Sequence, residues 1–183
     1  PAPPYPYAID QELASVGERL YENNCSSCHA FDGAKVGQVT PIEEIGTDRG
    51  RLDSYTNELL RNQRTLFAGI SYRGEDQQFR HFQKTNGYAN MPLDGIWLRA
   101  PYLHNGSVPT LTDLLERPAN RPKTFYRGYD VFDRDKVGFV SNVAEENGKQ
   151  YFKLDTTLPG NSNSGHLYGT DLPAKDKQAL VEY

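Results

Sequence analysis

Residues 21–33, YENNCSSCHAFDG, hold both cysteines of the chain and one of its four histidines. The run Cys25-Ser26-Ser27-Cys28-His29 has the C-x-x-C-H spacing that attaches a c-type haem. The chemistry sets that spacing. Two thiols three positions apart at a helix end can each add to one vinyl group of a single porphyrin, while the next residue turns its imidazole toward the iron. Cys25 and Cys28 therefore read as thioether anchors, and His29 as the proximal iron ligand of one covalent haem c. A Cys25–Cys28 redox pair would need a strand ahead of the motif and leaves His29 without a role. A structural zinc would need two further ligands at finger-like spacing, and His81, His104 and His166 are isolated.

The sixth ligand decides the function. An open distal face can bind peroxide or dioxygen, whereas two strong protein ligands leave the iron to pass electrons. The candidates are His81, His104, His166 and Met91. Small c-type domains place the distal ligand on a loop just before the last helix, and here that loop is GNSNSGHLYGTDLP, which offers His166 and no methionine. Gly165 and Gly169 flank it and let the backbone come close to a flat ring. Met91, followed by a proline, is the alternative; its competing role is to fill a gap in the core. His81 reads as a surface or supporting residue.

The elements that must position these groups are mostly helical. A helix is expected over 9–24, with Leu13, Val16, Leu20 and Tyr21 at helical spacing and running straight into the cysteines. A second is expected from Leu52 to about Phe67, with Tyr55, Leu59, Leu60 and Leu66 on its inner face. Residues 31–50, with four glycines and Pro41, read as a loop. Residues 68–107 lack a sustained period and read as irregular backbone around something bulky. Thr110 is the expected cap of a short third helix. Residues 136–156 read as an inserted β-hairpin turning at Asn147-Gly148. A terminal helix begins near Leu172 and is expected to run on past Tyr183, since no stop signal follows. The fold expected is mainly α, with residues 9–183 as one domain and residues 1–8, PAPPYPYA, as an extended N-terminal segment or linker.

At 183 residues with a net charge of −4, the chain can bury a sizeable core and offers no basic face for nucleic acid. A redox partner with a basic docking patch suits it better. No apolar run approaches the length needed to cross a bilayer. Thioether attachment points to an exported, periplasmic setting.

The stretch MPLDGIWLRAPYLHNGSVPTLTDLLE, 91–116, with its PYLHNGS core, resembles the C-terminal haem domain of the bacterial di-haem cytochrome c peroxidase superfamily. It looks closest to the branch that includes the rubber oxygenases, from about residue 11 onward. The resemblance implies a class I cytochrome c-like haem domain with long irregular loops, in which His104 belongs to the haem edge. It also implies a second axial histidine in a late loop, a place His166 occupies. No methionine follows in TLTDLLERPAN, where the peroxidases carry their distal ligand. The family's reactive haem lies in another domain with its own C-x-x-C-H, and that motif occurs once here. Trp97, Tyr102 and Leu103 are candidates to pack on the porphyrin or in the ordinary core, and Arg99 and Arg73 to pair with its propionates. The function expected is single-electron transfer through one haem; the alternative is a haem peroxidase or oxygenase, or the relay domain of one.

Overall fold

The computed structural model describes residues 2–78 and 82–183, so His81 lies outside the described residues. Along the chain run the helices α1 (Gln11–Asn24), α2 (Ser26–His29), α3 (Ile42–Ile45), α4 (Gly50–Ser54), α5 (Asn57–Gln63), α6 (Leu111–Leu114) and α7 (Ala174–Glu182). Five antiparallel pairs of short strands fill the connections: β1 (Val39–Pro41) with β4 (Gly87–Ala89), β2 (Ser71–Tyr72) with β3 (Glu75–Asp76), β5 (Thr124–Arg127) with β10 (Phe152–Asp155), β6 (Phe132–Asp133) with β7 (Gly138–Phe139), and β8 (Glu145–Glu146) with β9 (Lys149–Gln150). Helix amounts to 30% and strand to 16% of the described residues, so the expected mainly helical content is diluted by strand pairs.

Helix α1 starts where Asp10 caps it, its carboxylate accepting from the amides of Glu12 and Leu13. It crosses α7 at Gly17, where an added Cβ would lie 2.0 Å from the carbonyl oxygen of Ala179. Ala179 itself is fully buried. The rings of Tyr21 and Tyr183 meet 5.5 Å apart along the same seam, and the Asp10 amide donates to the Glu182 carboxylate at 2.6 Å. The first and last helices thus clamp each other, and the cysteine motif hangs from the end of one of them.

Several expectations change. The helix over 52–67 is two helices, because the chain leaves α4 at Tyr55 and Thr56 caps α5 by accepting from the Leu59 amide. Leu59 and Leu66, expected inside, are 42% and 50% exposed. The loop over 31–50 contains β1 and α3. The hairpin over 136–156 keeps its tip, with Asn147 and Gly148 at φ 51° and 80° between β8 and β9. Its arms pair elsewhere: β10 with β5, and β7 with β6. Local turn chemistry was readable, but the partners of a two-residue strand are set by distant segments. The N-terminal segment is extended and docked. Tyr5 packs edge-on against Trp97 at 5.5 Å, and Tyr7 stacks on Phe132 at 6.2 Å.

Candidate functional site

The end of α1 runs directly into the motif. Cys25 closes α1 by donating its amide to Tyr21 at 2.8 Å, and it opens α2, where the amides of Cys28 and His29 both donate back to the Cys25 carbonyl. One helical turn therefore presents two free thiols and an imidazole together. Burial and the neighbouring Cys28 push the Cys25 thiol above its usual range.

His29 is oriented from behind. Its Nδ1–H donates to the Met91 carbonyl oxygen at 2.7 Å, and the Leu93 amide donates to the His29 carbonyl at 3.3 Å. A carbonyl can only accept, so the proton sits on Nδ1 and the lone pair on Nε2. This backbone bond is the kind of support that fixes a ligating imidazole. It also puts Met91 at the rear of the His29 ring, with its side chain 57% exposed.

His166 faces His29. Their ring centres are 6.3 Å apart with an interplanar angle of 44°. Metal–nitrogen bonds of about 2.0–2.1 Å on each side place two ligating imidazoles roughly 6–6.5 Å apart, centre to centre. Burial, then the charge of His29, holds the His166 imidazole down to about 4, so the ring is neutral and its lone pair available at ordinary pH.

The loop that carries His166 is rich in small residues, yet it is fastened from three sides. The His166 amide donates to Ile45 at 2.8 Å and Ser164 Oγ to Gly46 at 3.2 Å. The Asn105 amide group donates to the carbonyls of Gly160 and Ser162 at 3.2 and 3.0 Å, and Ser107 Oγ to Ser162 at 3.0 Å. Arg121 supplies the third set of bonds, to the carbonyls of Asn163, Gly165 and His166. Gly165, at φ 78°, has no room for a side chain: a Cβ would lie 2.4 Å from the Gly46 carbon and the Thr47 nitrogen. Its smallness thus serves a backbone crossing with α3. His166 itself sits at φ 47°, a costly conformation for a residue with a side chain.

Four buried polar atoms have no hydrogen-bond partner among the described residues: Thr47 Oγ1, Tyr88 OH, His104 Nε2 and His166 Nδ1. Burying such groups unpaired is expensive, so clusters of them mark where a polar ligand belongs. Tyr88 and His104 stack with centres 4.7 Å apart, and the charge of Arg51 acts on both. Burial pushes the His104 imidazole below its usual range, opposed by Asp48. The other expected residues are dispersed. Tyr102 is 4% exposed and spends its hydroxyl on the Val137 and Ile96 carbonyls, which makes it a post of the core. Leu103 adopts φ 62° ahead of His104. Trp97 belongs to the aromatic cluster with Tyr5 and Phe132. Arg99 is exposed and reaches the Pro92 carbonyl at 3.4 Å. Arg73 lies over the Tyr72 ring in the turn between β2 and β3. Sequence reasoning missed Arg51, Tyr88 and Arg121. Asn105 and Ser107 lie within PYLHNGS, and their tie to the His166 loop is visible only in the fold.

Two free thiols and an imidazole on one helical turn, with a second imidazole facing them, form an arrangement that could hold a haem of the c type. The cytochrome c family model matches residues 14–105, just over half of the chain, and the chain belongs to that family. A second model, described as RoxA-like, cytochrome c-like, matches residues 87–126 and assigns a c-type cytochrome domain of the RoxA-like type. Membership of the cytochrome c family implies a covalently bound haem c on this chain. Two uncharacterized proteins of Sinorhizobium fredii, y4iJ and y4iM, are 28% and 32% identical over 96% and 91% of this chain. The chain spans 39% and 43% of their lengths, about two fifths of these relatives. No helix among the described residues is long and apolar enough to cross a membrane.

Proposed function

We propose that this chain is a periplasmic relay for single electrons, built on one haem c that Cys25 and Cys28 anchor and that His29 and His166 ligate from opposite faces. The observation that carries this reading is the 6.3 Å separation of the two imidazole centres, with His29 already held in the tautomer that leaves Nε2 free. Met91 ranks behind His166 because its backbone stands behind the His29 ring, on the side away from the distal face. The haem supplies one-electron chemistry; the chain's residues hold it, bar exchange at the iron and pair its carboxylates. For the carboxylates, the unpaired Tyr88 hydroxyl and His104 Nε2, with Arg51 near, are better placed candidates than Arg73 or Arg99.

Two imidazole ligands stabilise ferric iron more than a thioether does, so the reduction potential should lie below that of His/Met cytochromes. The net charge of −4 favours a partner with a basic docking patch. The test is an absorption spectrum of the haem-loaded protein, ferric and ferrous, with and without cyanide. The relay reading expects a low-spin spectrum that becomes high-spin in His166→Ala; a parent that is already high-spin and reacts quickly with peroxide would favour a peroxidase or oxygenase instead. A near-infrared thioether-to-iron band would move the distal role to Met91. Because the curated relatives are longer than this chain, the same relay can serve inside a larger redox protein, which the intact mass of the native chain would show.

A further inference from the structure

Arg121 stands apart from every other cation in the described residues by its burial and its partners. It is 2% exposed. Its guanidinium donates to five main-chain carbonyls: Nε to Glu116 at 2.9 Å, Nη1 to Asn163 and to Gly165 at 2.9 Å, and Nη2 to Leu114 at 3.0 Å and to His166 at 3.3 Å. No carboxylate is among these acceptors. Asp113 and Glu116 act on it through space, and Glu116 is already paired with Lys177 at 3.1 Å. A buried guanidinium without a direct counter-ion is costly, and a purely structural pin in this place could be a neutral residue.

We propose that Arg121 is a positioning residue for the distal side of the haem: it cross-links α6 to the 163–166 loop, holds His166 in its strained backbone conformation, and places a fixed positive charge behind that ligand. The proposal rests on His166 being the sixth ligand. Two consequences follow, and they separate the clamp from the charge. A planar fork with five donors can hold five carbonyls on two segments in a fixed geometry, whereas a lysine has three donors at a single point. A positive charge near the iron disfavours the ferric state, so its removal lowers the reduction potential.

The experiment compares Arg121→Lys, Arg121→Gln and His166→Ala in the haem-loaded protein, reading cyanide binding and reduction potential. Arg121→Lys should bind cyanide about ten-fold or more faster than the parent, since bonds from a charged donor are lost. Introduced on top of His166→Ala, it should add nothing, because the distal face is then already open. Arg121→Gln should show a lower potential than Arg121→Lys. Arg121→Lys as slow toward cyanide as the parent, while His166→Ala binds it readily, overturns the positioning role alone. His166→Ala as closed as the parent removes the ligand assignment and the role with it. Should the Arg121 variants fail to fold, the parent itself gives the answer by magnetic resonance: guanidinium protons that are paramagnetically shifted and slow to exchange support the clamp, and protons exchanging at the free rate overturn it.

Discussion

In the proposed haem site the two faces are built in opposite ways. On the proximal side, Cys25, Cys28 and His29 are neighbours on one helical turn, and two long-range bonds, His29 Nδ1–H to the Met91 carbonyl and the Leu93 amide to the His29 carbonyl, complete the arrangement. On the distal side, His166 has little local support. Its loop is held by Ile45 and Gly46 of the α3 turn, by Asn105 and Ser107 of the PYLHNGS segment, and by Arg121 beyond α6. A covalent anchor tolerates slack in the fold around it. A distal imidazole held by hydrogen bonds alone needs its whole surroundings in register. With His166 as the proposed sixth ligand, the reactivity of the iron would be set by the face that depends most on tertiary structure.

The comparison can be broken most forcefully from the proximal side. Replacing Cys25 and Cys28 together by alanine should release all pigment into acidified organic solvent, whereas the parent retains it; pigment held as firmly as before would remove the covalent anchor. Gly165→Ala comes next. With a Cβ driven against Gly46 and Thr47 at φ 78°, it should cost about 2–4 kcal/mol in chemical denaturation and turn the ferric spectrum high-spin. The pigment should stay attached all the same, since the cysteine turn is untouched. Asn105→Ala removes two bonds to the Gly160 and Ser162 carbonyls and should cost about 1–3 kcal/mol. Hydrogen exchange should quicken at residues 160–166 and stay unchanged at residues 25–29; equal changes in both would erase the contrast.

The smallest effect expected is a pH slope beside the distal clamp. Burial holds the Asp113 carboxyl above its ordinary range, against the pull of its Thr110 hydrogen bond. The folded chain then binds that proton more tightly than the unfolded one. Its contribution to stability is complete below the unfolded pKa and fades as pH rises through the folded value. Asp113→Asn should flatten this shallow downward slope, measured as denaturation midpoint against pH just above the usual aspartate range; a slope unchanged by the substitution would assign it to other groups.

Much of the plan was legible because it is local. The apolar spacing of Leu13, Val16, Leu20 and Tyr21, the Thr110 cap and the Asn147-Gly148 turn each act within a few residues, and each element formed where expected. The break between α4 and α5 was also written locally, in Thr56 as a cap, but the leucines on either side masked it. The arms of the hairpin could not be read, because two-residue strands find partners by distance in space. Trp97 is the reverse case. Just ahead of the PYLHNGS segment, it was open to packing on the porphyrin or in the ordinary core, and the docking of Tyr5 beside it supplies aromatic company from the N-terminal segment.

By itself, the sequence determined the covalent chemistry: one turn of helix is short enough for residue order alone to bring two thiols and an imidazole together. The position of His166 in a late loop was likewise visible as an order along the chain. Its distance from His29, and the fastening of that loop by Asn105, Ser107 and Arg121, were decided only by tertiary structure. The bonds from Asn105, Ser107 and Arg121 to that loop span 42 to 57 residues of chain, and hydrogen bonds over such separations exist only once the α1–α7 clamp and the core have closed the loops between them.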